Sequence, residues 1–402
     1  MLEDASVRSP LSLRRFGWAA ALVVVLAAAS AGGIVLISRP SAQVDGHWRL
    51  ETTADLWPAE AVSCVSFTDC WAVGYERVSH LSNGAWANVP LPSLGGDQGA
   101  VLFGVACPTS NGCWAVGQDF TSEQLLVAHE VGGRWTLTKG AGSNIEPEQL
   151  NAVTCVGPDD CWAVGFIGPT GENSLFQPLI EHYSGIGWSV VNSPGLGSGG
   201  DLTAVTCSGA SECWAVGTNG GEDELAASWI SPLIELYAGG QWTVAASPRL
   251  GGPGGLSGVS CASAEECWAV GHSGVEPTDQ PLIEQGLGGS WSIASSPRID
   301  ASNGAALLSI ACPEPASCWA VGELPPVSSS RGAATGPTTN EPPEASLPPL
   351  IEGSAGGTWT VVEGPGVPGG SGTLNAVTCV TPAQCWAVGG TLPGVLIAEN
   401  TS

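Results

Sequence analysis

CVGPDDCWAVG, residues 155–165, is the stretch that decides the fold, because the chain writes it again and again. CSGASECWAVG begins at Cys207, CASAEECWAVG at Cys261 and CPEPASCWAVG at Cys312. Aligning on two cysteines, five intervening residues and Trp-Ala-Val-Gly gives seven copies. The first cysteines are Cys64, Cys107, Cys155, Cys207, Cys261, Cys312 and Cys379. The second are Cys70, Cys113, Cys161, Cys213, Cys267, Cys318 and Cys385. A period of roughly 40–55 residues is the signature of propellers or solenoids.

Each unit reads as four short antiparallel strands. Strand A ends on the first cysteine, as in LNAVTC at 150–155. Strand B is CWAVG. Strand C contains PLIE, at 178–181, 232–235, 281–284 and 349–352. Strand D follows a glycine-rich turn and starts with tryptophan, as in GWSVV at 187–191 and QWTVA at 241–245. Six copies are followed by such a strand, with Trp86, Trp135, Trp188, Trp242, Trp291 and Trp359. The seventh is followed by VLIAEN, after which the sequence stops. DGHWRLE, at 45–51, carries the missing D pattern ahead of the first A strand. An N-terminal strand that completes the last blade closes a ring and leaves no inner edge unprotected. The expectation is therefore an all-β, seven-bladed propeller over 44–402, with a flexible Pro/Ser/Thr-rich insert at 324–348.

Period-two alternation puts Val153, Cys155, Cys161 and Ala163 on one face of such a sheet, and Trp162 and Val164 on the other, against small A-strand residues. The indole is then free to pack toward the next blade. Zinc pairs usually have two to four intervening residues and a second pair nearby. Five residues and one pair per blade favour seven local disulfides. Each closes a loop of about seven residues, worth roughly 2–2.5 kcal/mol in the chain-entropy formula.

The first forty residues bear on compartment. Arg8, Arg14 and Arg15 precede an uncharged apolar run that begins at Phe16. This predicts a cytoplasmic tail at 1–15 and a transmembrane signal anchor at 16–38, with the propeller on the extracellular side of the cell membrane. Ala29-Ser30-Ala31 offers the alternative of a cleaved signal and a secreted protein. Either route delivers the cysteines to an oxidising compartment. The formal net charge is -26, with Lys139 the only lysine, which argues against nucleic-acid binding.

The WAVG–PLIE–GxxW–SP unit resembles the repeat of secreted bacterial propellers in the broad sialidase-like, BNR-type superfamily. The C-to-D turns SAGGTW at 354–359 and YAGGQW at 237–242 keep the Gly and Trp of an Asp-box and lack its aspartate. The resemblance implies the propeller fold. The sialidase arginine triad, tyrosine nucleophile and acidic acid/base have no motif-level match here.

On such a propeller the B–C and D–A loops share one face, and these vary most. Candidate ligand contacts on that face are Arg249 and Arg298, for a carboxylate or sugar acid, Trp229, for stacking on a sugar, and the cluster Glu222, Asp223 and Glu224. Asp119, Glu123, Glu172, Glu276 and Asp279 form the remaining acidic rim. Glu181, Glu235, Glu284 and Glu352 recur in strand C, so hydrogen bonding between strands or blades is expected of them. His80, His129 and His182 hold one equivalent place in separate blades, which disfavours a shared metal. No catalytic residue, metal or cofactor is nominated. The sequence supports a monomeric binding or scaffold module for a protein or glycan, with a sialidase-like glycan hydrolase or lyase as the alternative.

Overall fold

The structure is a computed structural model. It describes residues 46–401 except 52–57, 93–98, 143–146, 169–174, 196–198, 221–229, 276–277, 300–303, 325–347, 368–371 and 392–393. The segment 16–38 lies outside the described residues. Among those described, no helix is long and apolar enough to cross a membrane.

Residues 46–401 form a seven-bladed β-propeller of four-stranded antiparallel sheets. Blades 1 to 6 span 59–89, 100–139, 148–191, 200–245, 254–293 and 306–361. Blade 7 is built from both ends of the ring: strand A is Gly372–Thr381, B is Gln384–Thr391, C is Gly394–Thr401 and D is Trp48–Leu50. Trp48, Arg49 and Leu50 pair with Asn400, Glu399 and Ala398, and an Arg49–Glu399 ion pair reinforces the seam.

The repeated motif is explained residue by residue. Cys155 and Cys161 are direct cross-strand partners, and all seven predicted pairs are disulfide-bonded, with Cα separations of 3.9–4.2 Å. In strand B of blade 3, Ala163 and Val164 are fully buried on opposite faces. Each motif glycine sits where strand A bulges: a Cβ on Gly165 would overlap the carbonyl of Gln149, and Gly217, Gly271 and Gly389 meet the same obstruction. The tight C–D turns Asn83-Gly84, Gly239-Gly240 and Gly288-Gly289 place both residues at positive φ, the two-residue hairpin geometry that matches strand twist.

Blades meet through seven separate hydrophobic clusters, each shared by two neighbours, and the last joins blade 7 to blade 1. In every cluster the strand-B tryptophan of one blade meets the strand-D tryptophan of the next, edge to face. The pairs are Trp71–Trp135, Trp114–Trp188, Trp162–Trp242, Trp214–Trp291, Trp268–Trp359, Trp319–Trp48 and Trp386–Trp86, with ring centroids 5.3–5.7 Å apart. None of the seven strand-D indole N–H groups has an oxygen or nitrogen partner. An edge-on indole has the neighbouring π face as its available weak acceptor.

Strands A form the inner ring. Asn151 Nδ2 donates to the Leu202 carbonyl of the next blade at 2.8 Å, and Thr203 Oγ1 to that of Leu256 at 2.7 Å. Asn375 Nδ2 reaches the Ala59 carbonyl at 3.1 Å across the closing seam. Peptide mapping by mass spectrometry without reductant should recover only within-blade cysteine pairs. Cys155→Ala combined with Cys161→Ala should cost roughly 2 kcal/mol in denaturant unfolding.

Candidate functional site

The two faces of the ring differ in kind. Every A–B link is two residues, and the C–D turns are nearly as uniform. On the other face the B–C connection grows from 75–76 in blade 1 and 392–393 in blade 7 to 220–230 in blade 4 and 324–349 in blade 6. One scaffold thus carries invariant turns on one side and divergent loops on the other.

The strand-C glutamates anchor this loop face from below. Glu181, Glu235, Glu284 and Glu352 are fully buried, and each is held by the D–A loop of the preceding blade. Ser193 Oγ donates to Glu235 at 2.8 Å, Ser247 Oγ to Glu284 at 3.1 Å and Ser296 Oγ to Glu352 at 3.2 Å. Glu181, which follows a loop without Ser-Pro, accepts instead from the backbone N–H groups of Ala141 (3.1 Å) and Gly142 (2.7 Å). The expected interblade role is what the geometry shows. Burial pushes the carboxyls of Glu235, Glu284 and Glu352 up to about 7, partly opposed by the serine hydrogen bonds. Glu181 is raised by the same cause.

Arg249 and Arg298 project from the D–A loops of blades 4 and 5 and are exposed. Among the described residues neither has a polar partner. Neither lines the crevice at the loop edge of blade 5, formed by Leu250–Pro253, Ser273, Gly274, the start of strand C and Ile293, Ala294 and Ser296. Trp229 and the Glu222-Asp223-Glu224 cluster lie outside the described residues, as do Glu172 and Glu276.

The histidines sit toward the opposite, uniform face. His80, His129 and His182 each stack flat on the strand-B tryptophan of their own blade, at 3.9–4.0 Å between centroids. His80 and His182 also bond Asp69 and Asp160 at 2.8 Å. Burial lowers the His129 pKa. Among the described residues no group of three or more potential metal ligands converges.

The best-formed concavity on the loop face is one that the sequence reading did not single out. A crevice of about 470 Å³ opens between blades 1 and 2. Its apolar lining is Val89-Pro90-Leu91-Pro92 and the strand ends Ala100, Leu102 and Leu126; its polar lining includes Glu76, Arg77, Asn88, Asp119 and Thr121. A smaller crevice of about 220 Å³ shares Asp119 and Leu126 and continues over Leu125, Leu137 and Thr138. Glu76 and Asp119 are placed together by one dipeptide. Glu76 N–H donates to Ala100 O at 2.8 Å, Asp119 pairs with Ala100 in the sheet, and Phe120 N–H donates to Gly99 O at 3.2 Å. Burial raises the Asp119 pKa, but hydrogen bonds from Thr121 N–H and Ser122 Oγ, both 2.9 Å, outweigh it and leave the carboxyl more acidic than usual. Beside the crevice, Tyr75 and Phe120 are 54% and 43% exposed, and Phe103 stands edge-on to Phe120. The sequence signal was the two-residue B–C link of blade 1, the shortest kind on this face.

No protein family matches this chain, and no curated protein sequence is similar to it. Solved structures are. YCF48 bound to D1 peptide aligns with a TM-score of 0.54 at 15% identity, over 89% of this chain and 95% of that one. YCF48 from Cyanidioschyzon merolae aligns at 0.53 and 13%, over 88% and 98%. The GH74 xyloglucanase from Xanthomonas campestris aligns at 0.54 and 12%, over 88% of this chain, which spans only 54% of that enzyme's chain. At these identities the likeness establishes the fold.

Proposed function

We propose that this protein is an extracytoplasmic binding module that holds another protein on its variable-loop face, tethered to the membrane by residues 16–38. The observation that carries the reading is the contrast between faces: seven near-identical blades keep uniform turns below and divergent loops, a crevice and exposed aromatic rings above. A rigid scaffold with one diversified surface is the usual arrangement for recognition. Seven disulfides and the basic-then-apolar N-terminal sequence support the oxidising, membrane-attached location. Propellers of similar fold include one with a peptide bound and a xyloglucanase, so the comparison is compatible with a protein or a glycan ligand. The fully buried glutamates are occupied by interblade contacts and supply no glycosidase acid pair at the surface.

The test is affinity capture with the full chain in mild detergent, followed by identification of what is retained. Replacing 220–230 and 324–349 by two-residue turns, alone and combined with Glu76→Gln and Asp119→Asn, should abolish capture while leaving the melting temperature unchanged. Undiminished capture by the combined variant would refute a loop-face ligand.

A further inference from the structure

The geometry points to the groove over blades 1 and 2 as the seat of an extended polypeptide segment that carries a lysine or arginine between apolar residues. The inference rests on the reading of the loop face as a binding face, and it names where and what that face binds.

Shape argues for an extended chain. The two crevices adjoin: both are lined by Asp119 and Leu126, so they lie side by side across the loop edge of blade 2 with that carboxylate between them, and an extended chain laid over the edge would span both. In one crevice the walls are Val89, Pro90, Leu91 and Pro92; in the other they are Leu125 and Leu137. A strand-like peptide advances about 3.3 Å per residue and presents alternate side chains to one surface. It can drop an apolar side chain on each side and a polar one between.

Charge selects the central side chain. Asp119 is fixed as an anion by two hydrogen bonds, and Glu76 stands on the other side of the Gly99–Ala100 backbone. Arg77, the one cation in the lining, already has interactions of its own within the protein. The whole chain carries a net charge of -26, so the long-range field also draws a cationic segment. Tyr75 and Phe120, each next in sequence to a lining carboxylate, are exposed aromatic residues on the same loop face.

Glu76 has a second property that makes the inference separable from stability. Its φ is 47°, a left-handed conformation that glycine or asparagine adopts more readily than glutamate. The neighbouring Gly99, at φ 82°, has its α-carbon against the Glu76 carboxylate, where a Cβ would fall 2.9 Å from Oε1. Glu76→Gly should therefore remove the anion and relax the backbone at once.

The probe is a set of synthetic dodecapeptide libraries with the central residue fixed as Lys, Arg, Gln or Glu and the flanks randomised over Ala, Leu, Val, Pro and Ser. They are presented to the immobilised full chain. The Lys- and Arg-centred libraries should be retained about tenfold over the Gln-centred one. For the best peptide, fluorescence anisotropy should show about tenfold weaker binding by Asp119→Asn or Glu76→Gln, and weaker binding by Leu91→Ser. Affinity should also fall between about 0.05 M and about 0.5 M salt. Glu76→Gly should bind as poorly as Glu76→Gln with an equal or higher melting temperature. Retention without preference for the central residue, or a preference that survives both carboxylate variants, overturns the inference. Preference for Glu-centred peptides that is lost in Arg249→Ala/Arg298→Ala would overturn it too, while leaving the loop face as the binding surface.

Discussion

Trp48→Ala should lower the free energy of unfolding by about 3–5 kcal/mol, the range for truncating a buried aromatic ring. Trp48 is 7% exposed and stands edge-on to Trp319 of blade 6, so its loss opens a cavity in the cluster that joins blades 6 and 7. It also weakens the only D strand that is not continuous in sequence with its own blade. Trp242→Ala, at the same position in blade 4, where the ring is 6% exposed and edge-on to Trp162, makes a control with a similar packing loss and no effect on closure. Both should shift the denaturant midpoint. Only Trp48→Ala should expose strand C of blade 7 as a free edge, read as protease cleavage after Arg49 and concentration-dependent association. A shift below about 1 kcal/mol for Trp48→Ala would show that the ring does not depend on this strand.

Acidification should stabilise the propeller, the reverse of ordinary acid denaturation. Glu235, Glu284 and Glu352 have carboxyls raised by burial from 4.5 to about 7 in the folded state. Between those values the folded protein holds protons that the unfolded chain has released, so the stability they contribute is complete below about 4.5 and is lost as pH rises through 7. Each carboxyl accounts for on the order of 2 kcal/mol, and the three lie in different blades, so their effects should add. The melting temperature should rise from pH 8 to pH 5. The triple variant Glu235→Gln, Glu284→Gln and Glu352→Gln keeps an acceptor for each serine and needs no proton. It should be more stable than the parent at pH 8 and equal to it near pH 5. A parent protein that loses stability steadily below pH 8 would contradict this account.

Much of this architecture was written in residue spacing. The Cys-x5-Cys interval placed two cysteines directly opposite across a two-residue turn, and alternation sent Trp162 to the other face. The orphan DGHWRLE segment closed the ring by arithmetic alone. The partner of each strand-B indole was less legible. Trp162 has two tryptophans near in sequence, Trp188 of its own blade and Trp242 of the next, and only the stacking direction of blades selects Trp242. The glutamate contacts were half visible: recurrence implied a structural role, but Ser193-to-Glu235 pairing joins residues 42 apart across two blades. The crevices on blades 1 and 2 were hidden because their lining is assembled from strand ends and loops of two blades, drawn from separate stretches of the sequence. Glu76 carried no turn-forming residue type to mark its left-handed backbone. Arg249 and Arg298 stood out because basic residues are scarce, yet scarcity says nothing of depth, and both lie exposed outside the neighbouring crevice.

The chain enters the ring through a strand of only three residues, Trp48–Leu50, laid along the outer edge of blade 7. A pull applied on the amino-terminal side of Trp48 would load those three residue pairs before it reached the covalent chain into blade 1. They would be the mechanical fuse of the molecule: under load the seam peels before any blade shears, and the disulfides, all confined within single blades, do nothing to hold it.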